Sequence, residues 1–291
     1  MLEKTLFEKI RTGKKVNLEK AILISYGYNR EKQIAEYRTK IDKLNKSFRK
    51  FSSKDLKVRR KTARALYKFL WKESNMEVFE AMHVFRLENS RKTRNLQEDE
   101  ETGECVRRTA LYSLIGVKQN LNMTILYNGG HVLSRLRIGK RFLDIENTCE
   151  EGLDGFDIFT KGSHYFSYGG LKEGSLIDLI GLIYKNRGFI EFEKGQWAKA
   201  ITHYDKAIQI FPHYASTYVC RGEAKEKIGR IQRAIKDYDK AIEIDSQNIT
   251  AYENRGKAKL KIKDEEGAEE DLKISSHLLG ALMNRRRYYS Y

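Results

Sequence analysis

The sequence predicts an α+β N-terminal part, a helical bundle carrying a small antiparallel sheet, followed by an all-α solenoid of helical hairpins. Three observations carry this expectation. A self-similarity with a period of 34 residues runs from Gly181 to about Gly280. Ahead of it, apolar residues recur at helical spacing, and between the two regions short β-rich runs flank the turn signal Asn128-Gly129-Gly130. A single proline, Pro212, and many Lys, Glu and Leu residues fit a mostly helical chain.

The chain of 291 residues is long enough for two cores. The division expected is residues 1–175, made of a basic helical part (1–94) and a core (95–175), then repeats over 181–280 and a basic-aromatic tail over 281–291. Helices are expected at Leu2–Ile10, Leu18–Ser25, Glu31–Phe48, Asp55–Trp71 and Val78–Leu87, with Gly27 and Ser52–Ser53 as breaks. The polar stretch Asn89–Gly103 reads as a loop. Of the net charge of +16, nearly all sits in residues 1–94, where 26 Lys and Arg face 11 Asp and Glu. That face suits an acidic partner; nucleic acid is the least favoured partner, because the cations of Lys57, Arg59, Arg60 and Lys61 have no interleaved aromatics.

In the repeats, Tyr184, Tyr218 and Tyr252 recur, each followed four residues later by Gly188, Gly222 and Gly256. Ala200, Ala234 and Ala268 share a register, as do Tyr204, Tyr238 and Leu272, then Ala207, Ala241 and Ser275. Small residues at these places allow paired helices to approach closely. The third copy has Lys263 where the others have Gly195 and Gly229, as in a terminal repeat. This pattern resembles the tetratricopeptide repeat family, with Pro212 matching the family's proline in the first copy only. The resemblance implies a groove for a protein or peptide partner, lined by Lys185, Phe189, Ser216, Val219, Glu223, Glu253 and Lys257. These residues do not reproduce the Lys/Asn carboxylate clamp of chaperone-binding members, so no chaperone partner is implied.

From Cys105 to Val117 the apolar residues fall at helical spacing; Met123–Tyr127 reads as a strand, and His131–Ile138 and Arg141–Asn147 as a hairpin joined around Gly139. Cys105 is then expected on the first turn of a helix, where unpaired N–H groups favour a thiolate. A hairpin turning at Ile138–Gly139 gives facing residue numbers that sum to 277, which sets His131 opposite Glu146. Asp144 lies on the same face. The stretches Gly103-Glu104-Cys105, Gly130-His131-Val132 and Phe142-Leu143-Asp144-Ile145-Glu146-Asn147-Thr148 resemble the core of the transglutaminase-like cysteine-enzyme superfamily. Helices upstream and tetratricopeptide repeats downstream extend the likeness to bacterial proteins of that kind.

The resemblance implies a papain/transglutaminase-like core, with Cys105 as nucleophile, His131 as its base and an acid orienting the imidazole. Glu146 is preferred for that acid and Asp144 held in reserve, since the family has Asp where this sequence has Glu146. The activity implied is acyl transfer or amide hydrolysis on a protein or peptide through a thioester, without a cofactor. Its rival is a non-enzymatic adaptor on a degenerate fold. Cys149 and Cys220 read as structural, with no CxxC pair. The six histidines show no HxxxH or HExxH spacing, so no metal is expected. With no leader and no apolar run of 18 residues, the expected compartment is the cytoplasm.

Overall fold

A computed structural model of the chain describes residues 2–48, 56–71, 97–147 and 170–288. The helix expected at Val78–Leu87, Thr148, Cys149 and the end of the tail lie outside them. Two compact units divide the described residues: one takes those up to Asn147 together with Leu171–Ile183, and the other takes Gly170 and those from Tyr184 on.

The first unit begins with α1 (Leu2–Arg11), α2 (Leu18–Ser25), α3 (Glu31–Ser47) and α4 (Leu56–Trp71). α2 is capped by Asn17, whose side chain accepts from Lys20 N at 2.9 Å. Ala21, Ile22, Leu23 and Ile24 are all buried, so this helix is apolar around most of its circumference and sits inside the unit. α5 (Gln97–Lys118) is the central element. Tyr112 Oη donates to Ala63 O of α4 at 2.9 Å, and Lys118 Nζ reaches Asp42 of α3 at 2.8 Å and Glu19 of α2 at 3.1 Å.

α5 starts eight residues before Cys105, within the stretch expected as a loop. Residues 97–103 are thus helical although polarity and Gly103 favour a loop there. Cys105 is therefore not on the first turn but on the third. The N-terminal macrodipole does not reach its thiol, because that effect fades within one turn.

Among the described residues, four strands form one antiparallel sheet of order β3-β2-β1-β4: β1 (Met123–Tyr127), β2 (Val132–Ile138), β3 (Arg141–Ile145) and β4 (Lys172–Gly174). β4 pairs with β1 and was not foreseen, because Lys-Glu-Gly carries no β signal. The turn between β2 and β3 falls one residue later than expected, with Gly139 at φ 63° and Ile138 facing Arg141. Facing numbers thus sum to 279, since Arg135 faces Asp144.

The second unit is built from helical hairpins: α6 (Leu176–Glu193, of which the residues from Tyr184 belong here) with α7 (Trp197–Ile210), α8 (Ala215–Lys227) with α9 (Ile231–Ile244), and α10 (Ile249–Lys261) with α11 (Glu265–Tyr288). A Cβ added at Gly188 would lie 2.5 Å from Tyr204 Cε1, and one at Gly222 2.5 Å from Tyr238 Cε1. The recurring glycines thus admit the recurring tyrosines. Gly195 and Gly229 follow their helices at φ +72° and +76°, and Lys263 takes the same place at φ 62°. A side chain there is strained, so Lys263→Gly is expected to stabilise the last hairpin by about 0.5–1 kcal/mol. Urea unfolding at matched slope checks this, and a lower midpoint would contradict it.

Sequence reasoning overlooked a charged ladder with the same period. Arg221 bridges Asp205 at 2.6 Å and Asp237 at 2.6 Å, while Arg255 bridges Asp239 at 2.7 Å and Asp271 at 2.5 Å. Each arginine ties its own hairpin to the preceding one, and each lies over the ring of Tyr218 or Tyr252 three residues earlier, at 5.5 Å. The charge columns were legible in the 34-residue register beside the apolar ones.

Candidate functional site

α5 carries a polar stripe through an otherwise apolar face: Cys105, Thr109 and Ser113, four residues apart and all buried. Four helical residues rise about 6 Å, close to the step of two strand residues, so the stripe descends in phase with β2. Ser113 Oγ meets Ser134 Oγ at 3.0 Å and Thr109 Oγ1 donates to Val132 O at 3.3 Å. One more step brings Cys105 to His131. The Cys105 side chain hydrogen-bonds the His131 ring.

His131 is held from its own turn. Asn128 Oδ1 accepts from Gly130 N at 3.1 Å and from His131 N at 2.8 Å, and Asn128 N donates to His131 O at 3.0 Å. The imidazole Nε2 lies 2.5 Å from Glu146 Oε2, which leaves Nδ1 as the ring atom facing Cys105. Glu146 is wholly buried and His131 nearly so. With the register shifted from 277 to 279, Glu146 is diagonal to His131 rather than directly opposite. A shift of two keeps both on one face, and the diagonal lies within reach of long side chains.

Burial alone would lower the His131 pKa; hydrogen bonds to Cys105 and Glu146, with the Glu146 charge, outweigh it and raise the pKa to about 9. The ring is thus an imidazolium at neutral pH. Asp144 is engaged elsewhere: Arg135 Nε and Nη2 fork onto its two oxygens at 2.7 and 2.9 Å. Next to Glu146, Asn147 Nδ2 donates to Thr109 Oγ1 at 3.1 Å and to Ser134 Oγ at 2.9 Å, tying the end of β3 to α5 and β2. Sequence reasoning missed Asn147, Thr109 and Ser134, although the polar stripe at i, i+4 and i+8 from Cys105 is visible in the sequence.

Tyr26, at the C-cap of α2, also belongs to this neighbourhood. Burial holds its phenol protonated well above the ordinary range; the charge of Arg107 opposes that shift and Cys105 adds to it. Gln97, a conceivable oxyanion donor, begins α5 about 12 Å along the axis from Cys105. Among the described residues, no three His, Cys, Asp or Glu side chains gather where a metal could sit, and no helix is long and apolar enough to cross a membrane.

In the second unit, the residues expected to line a groove separate into two groups. Val219 is buried in the core with Tyr218, Tyr238 and Ala241, because the first helices must also pack on their neighbours. Lys185, Phe189, Ser216, Glu223 and Glu253 are half-buried and Lys257 is exposed. Glu223 accepts from Asn254 Nδ2 of the next hairpin at 2.7 Å, and burial pushes its pKa up. Lys257 pairs with Glu253. Cys220 lies among Ser216, Lys185 and Glu223, and burial pushes its thiol pKa up as well.

Comparison with known proteins places a family match in this unit. A family model described as a TPR repeat matches residues 188–229 and 226–262, so the C-terminal region carries TPR repeats. No curated protein matches the chain. Among solved structures, the second TPR of Spaghetti (RPAP3) bound to the HSP90 peptide SRMEEVD is 28% identical, with a TM-score of 0.33, over 34% of this chain and 91% of that one. The TPR2B domain of yeast Sti1 in its pHsp70 complex is 27% identical, with a TM-score of 0.35, over 38% and 90%. The Arabidopsis OM64 TPR domain is 27% identical, with a TM-score of 0.34, over 38% and 95%.

Proposed function

We propose that the chain is a transglutaminase-like cysteine enzyme whose TPR repeats hold the protein or peptide it acts on. The observation supporting this is that His131 is hydrogen-bonded to Cys105 on one side and to buried Glu146 on the other. In this reading the Cys105 thiolate attacks an amide carbonyl, and a tetrahedral adduct forms. As it collapses, the C–N bond breaks, His131 Nδ1 gives its proton to the leaving amine, and the acyl group remains as a thioester. Water or an amine then attacks the thioester while His131 takes its proton, and as this second adduct collapses the C–S bond breaks and the Cys105 thiolate is released. Glu146 keeps the proton of Nε2 in place throughout. A reducing compartment such as the cytoplasm would keep Cys105 free to react.

The expected result is fast, selective iodoacetamide labelling of Cys105 near neutral pH, mapped by peptide mass analysis, that disappears in His131→Ala. Cys220, with its raised thiol pKa, should react slowly in the same sample. A Cys105 that stays inert in the folded chain while all thiols label after unfolding would sink the enzymatic reading.

One observation favours a second reading, a non-catalytic TPR adaptor: Cys105 is only 2% exposed. An adaptor would retain its partners unchanged in Cys105→Ala and would yield no trappable thioester.

A further inference from the structure

The acyl transfer proposed above creates one charge that none of its three residues meets: the oxyanion on the substrate carbonyl when Cys105 adds to it. Backbone N–H groups at a helix N-terminus often meet such a charge. They do not serve here, because Cys105 lies past the first turn of α5 and its N–H is spent on the carbonyl four residues earlier. The neighbouring polar side chains of the stripe are engaged as well. Thr109 Oγ1 donates to Val132 O at 3.3 Å, Asn147 Nδ2 gives one hydrogen to Thr109 and the other to Ser134, and Ser113 and Ser134 hold each other.

A further hydroxyl reaches this corner from α2. At one end of the α2–α5 pair, Lys118, the last residue of α5, bridges Glu19 in the first turn of α2 at 3.1 Å. At the other end, the Tyr26 phenol at the C-cap of α2 meets the charges of Cys105 and Arg107. The two helices therefore run antiparallel. From Glu19 to Tyr26 the rise is about 10 Å, and from Lys118 to Cys105 about 20 Å; Lys118 and Glu19 lean towards their own N-termini, and with the phenol's length this accounts for the difference. Tyr26 is buried, which keeps its phenol neutral and so a donor, and the nearby Arg107 cation polarises the O–H further.

We propose that Tyr26 is the oxyanion donor of the Cys105 site, its Oη–H directed at the carbonyl oxygen of a substrate held on Sγ. The assignment rests on the enzymatic reading. As Sγ bonds to the carbonyl carbon, the π pair moves onto oxygen, and the phenol donates a hydrogen bond to it. When the adduct collapses the pair returns, the bond to the leaving group breaks, and Tyr26 keeps its proton throughout. The donor is needed only where a carbonyl becomes tetrahedral.

Two probes of Cys105 in the full chain separate this role from a structural one. Iodoacetamide alkylates by displacing iodide at a methylene carbon and develops no oxyanion, whereas p-nitrophenyl acetate acylates through a tetrahedral adduct that expels p-nitrophenolate. In Tyr26→Phe, alkylation should stay within about twofold of wild type, while acetylation of Cys105, followed by nitrophenolate release and peptide mass, slows about a hundredfold. Unchanged acetylation in a variant whose Cys105 still alkylates overturns the Tyr26 assignment and leaves the enzymatic reading standing. An equal fall in both rates overturns it as well, since a lost fold or a weaker thiolate acts on either probe alike. A wild-type Cys105 inert to both probes overturns the two together.

Discussion

Glu146→Gln is expected to bring the His131 pKa down from about 9 towards its ordinary value of 6.5. The amide keeps the shape of the carboxylate and removes the charge, so that Cys105 alone is left to oppose the burial that disfavours imidazolium. The linkage follows from the raised folded-state pKa. The His131 contribution is fully present below 6.5 and is lost as pH rises through about 9. Wild type should therefore exceed Glu146→Gln in stability by on the order of 3 kcal/mol near pH 6, with the gap narrowing towards pH 9. Histidine titration by NMR and urea unfolding at several pH values check the two halves. A wild-type ring that titrates near 6.5, or a gap that is flat with pH, would count against the buried pair. On the enzymatic reading, Cys105 labelling near pH 7 slows at least about tenfold in the same variant, because the imidazolium beside it is lost.

Gly222→Ala should destabilise the repeats by about 2 kcal/mol, although alanine is the better helix former. The added Cβ would lie 2.5 Å from Tyr238 Cε1 and 2.8 Å from Cζ. The ring cannot retreat, since Tyr238 is fully buried and its hydroxyl donates to Glu226 at 2.6 Å. At Gly256 the corresponding contacts are Leu272 Cγ at 3.0 Å and Ala268 O at 3.2 Å. An aliphatic side chain can turn aside, so Gly256→Ala should cost well under half as much. Amide hydrogen exchange along α8 and α9 would show the difference, because each hairpin is stabilised chiefly by its neighbours. Equal effects at the two glycines would mean that the tyrosine is not what the glycine accommodates.

The repeats were legible because their physics is local and periodic. A helix pair that packs on its neighbour at a fixed interval must repeat its small and aromatic residues at that interval. Tyr184, Tyr218 and Tyr252 therefore disclose the architecture before any contact is known. The same periodicity carried Arg221 and Arg255 with their aspartates, a signal available in the charges but overlooked beside the apolar pattern. In the first unit, helical spacing placed α1 to α4 well. It failed at the start of α5, where a polar stretch read as a loop is helical from Gln97 on.

The sequence by itself determined the order of Cys105, His131 and Glu146 along the chain, the hairpin that carries the last two, and the strand face they share, because side-chain alternation depends only on parity. Which acid meets the imidazole was decided by tertiary structure. Asp144 and Glu146 are equivalent by parity, and only the position of the turn at Gly139, the claim of Arg135 on Asp144, and the diagonal from His131 separate them. The setting of Cys105 was decided in the same way. Its surroundings come from the stripe that lays α5 along β2, a contact between segments more than 20 residues apart that no local pattern encodes.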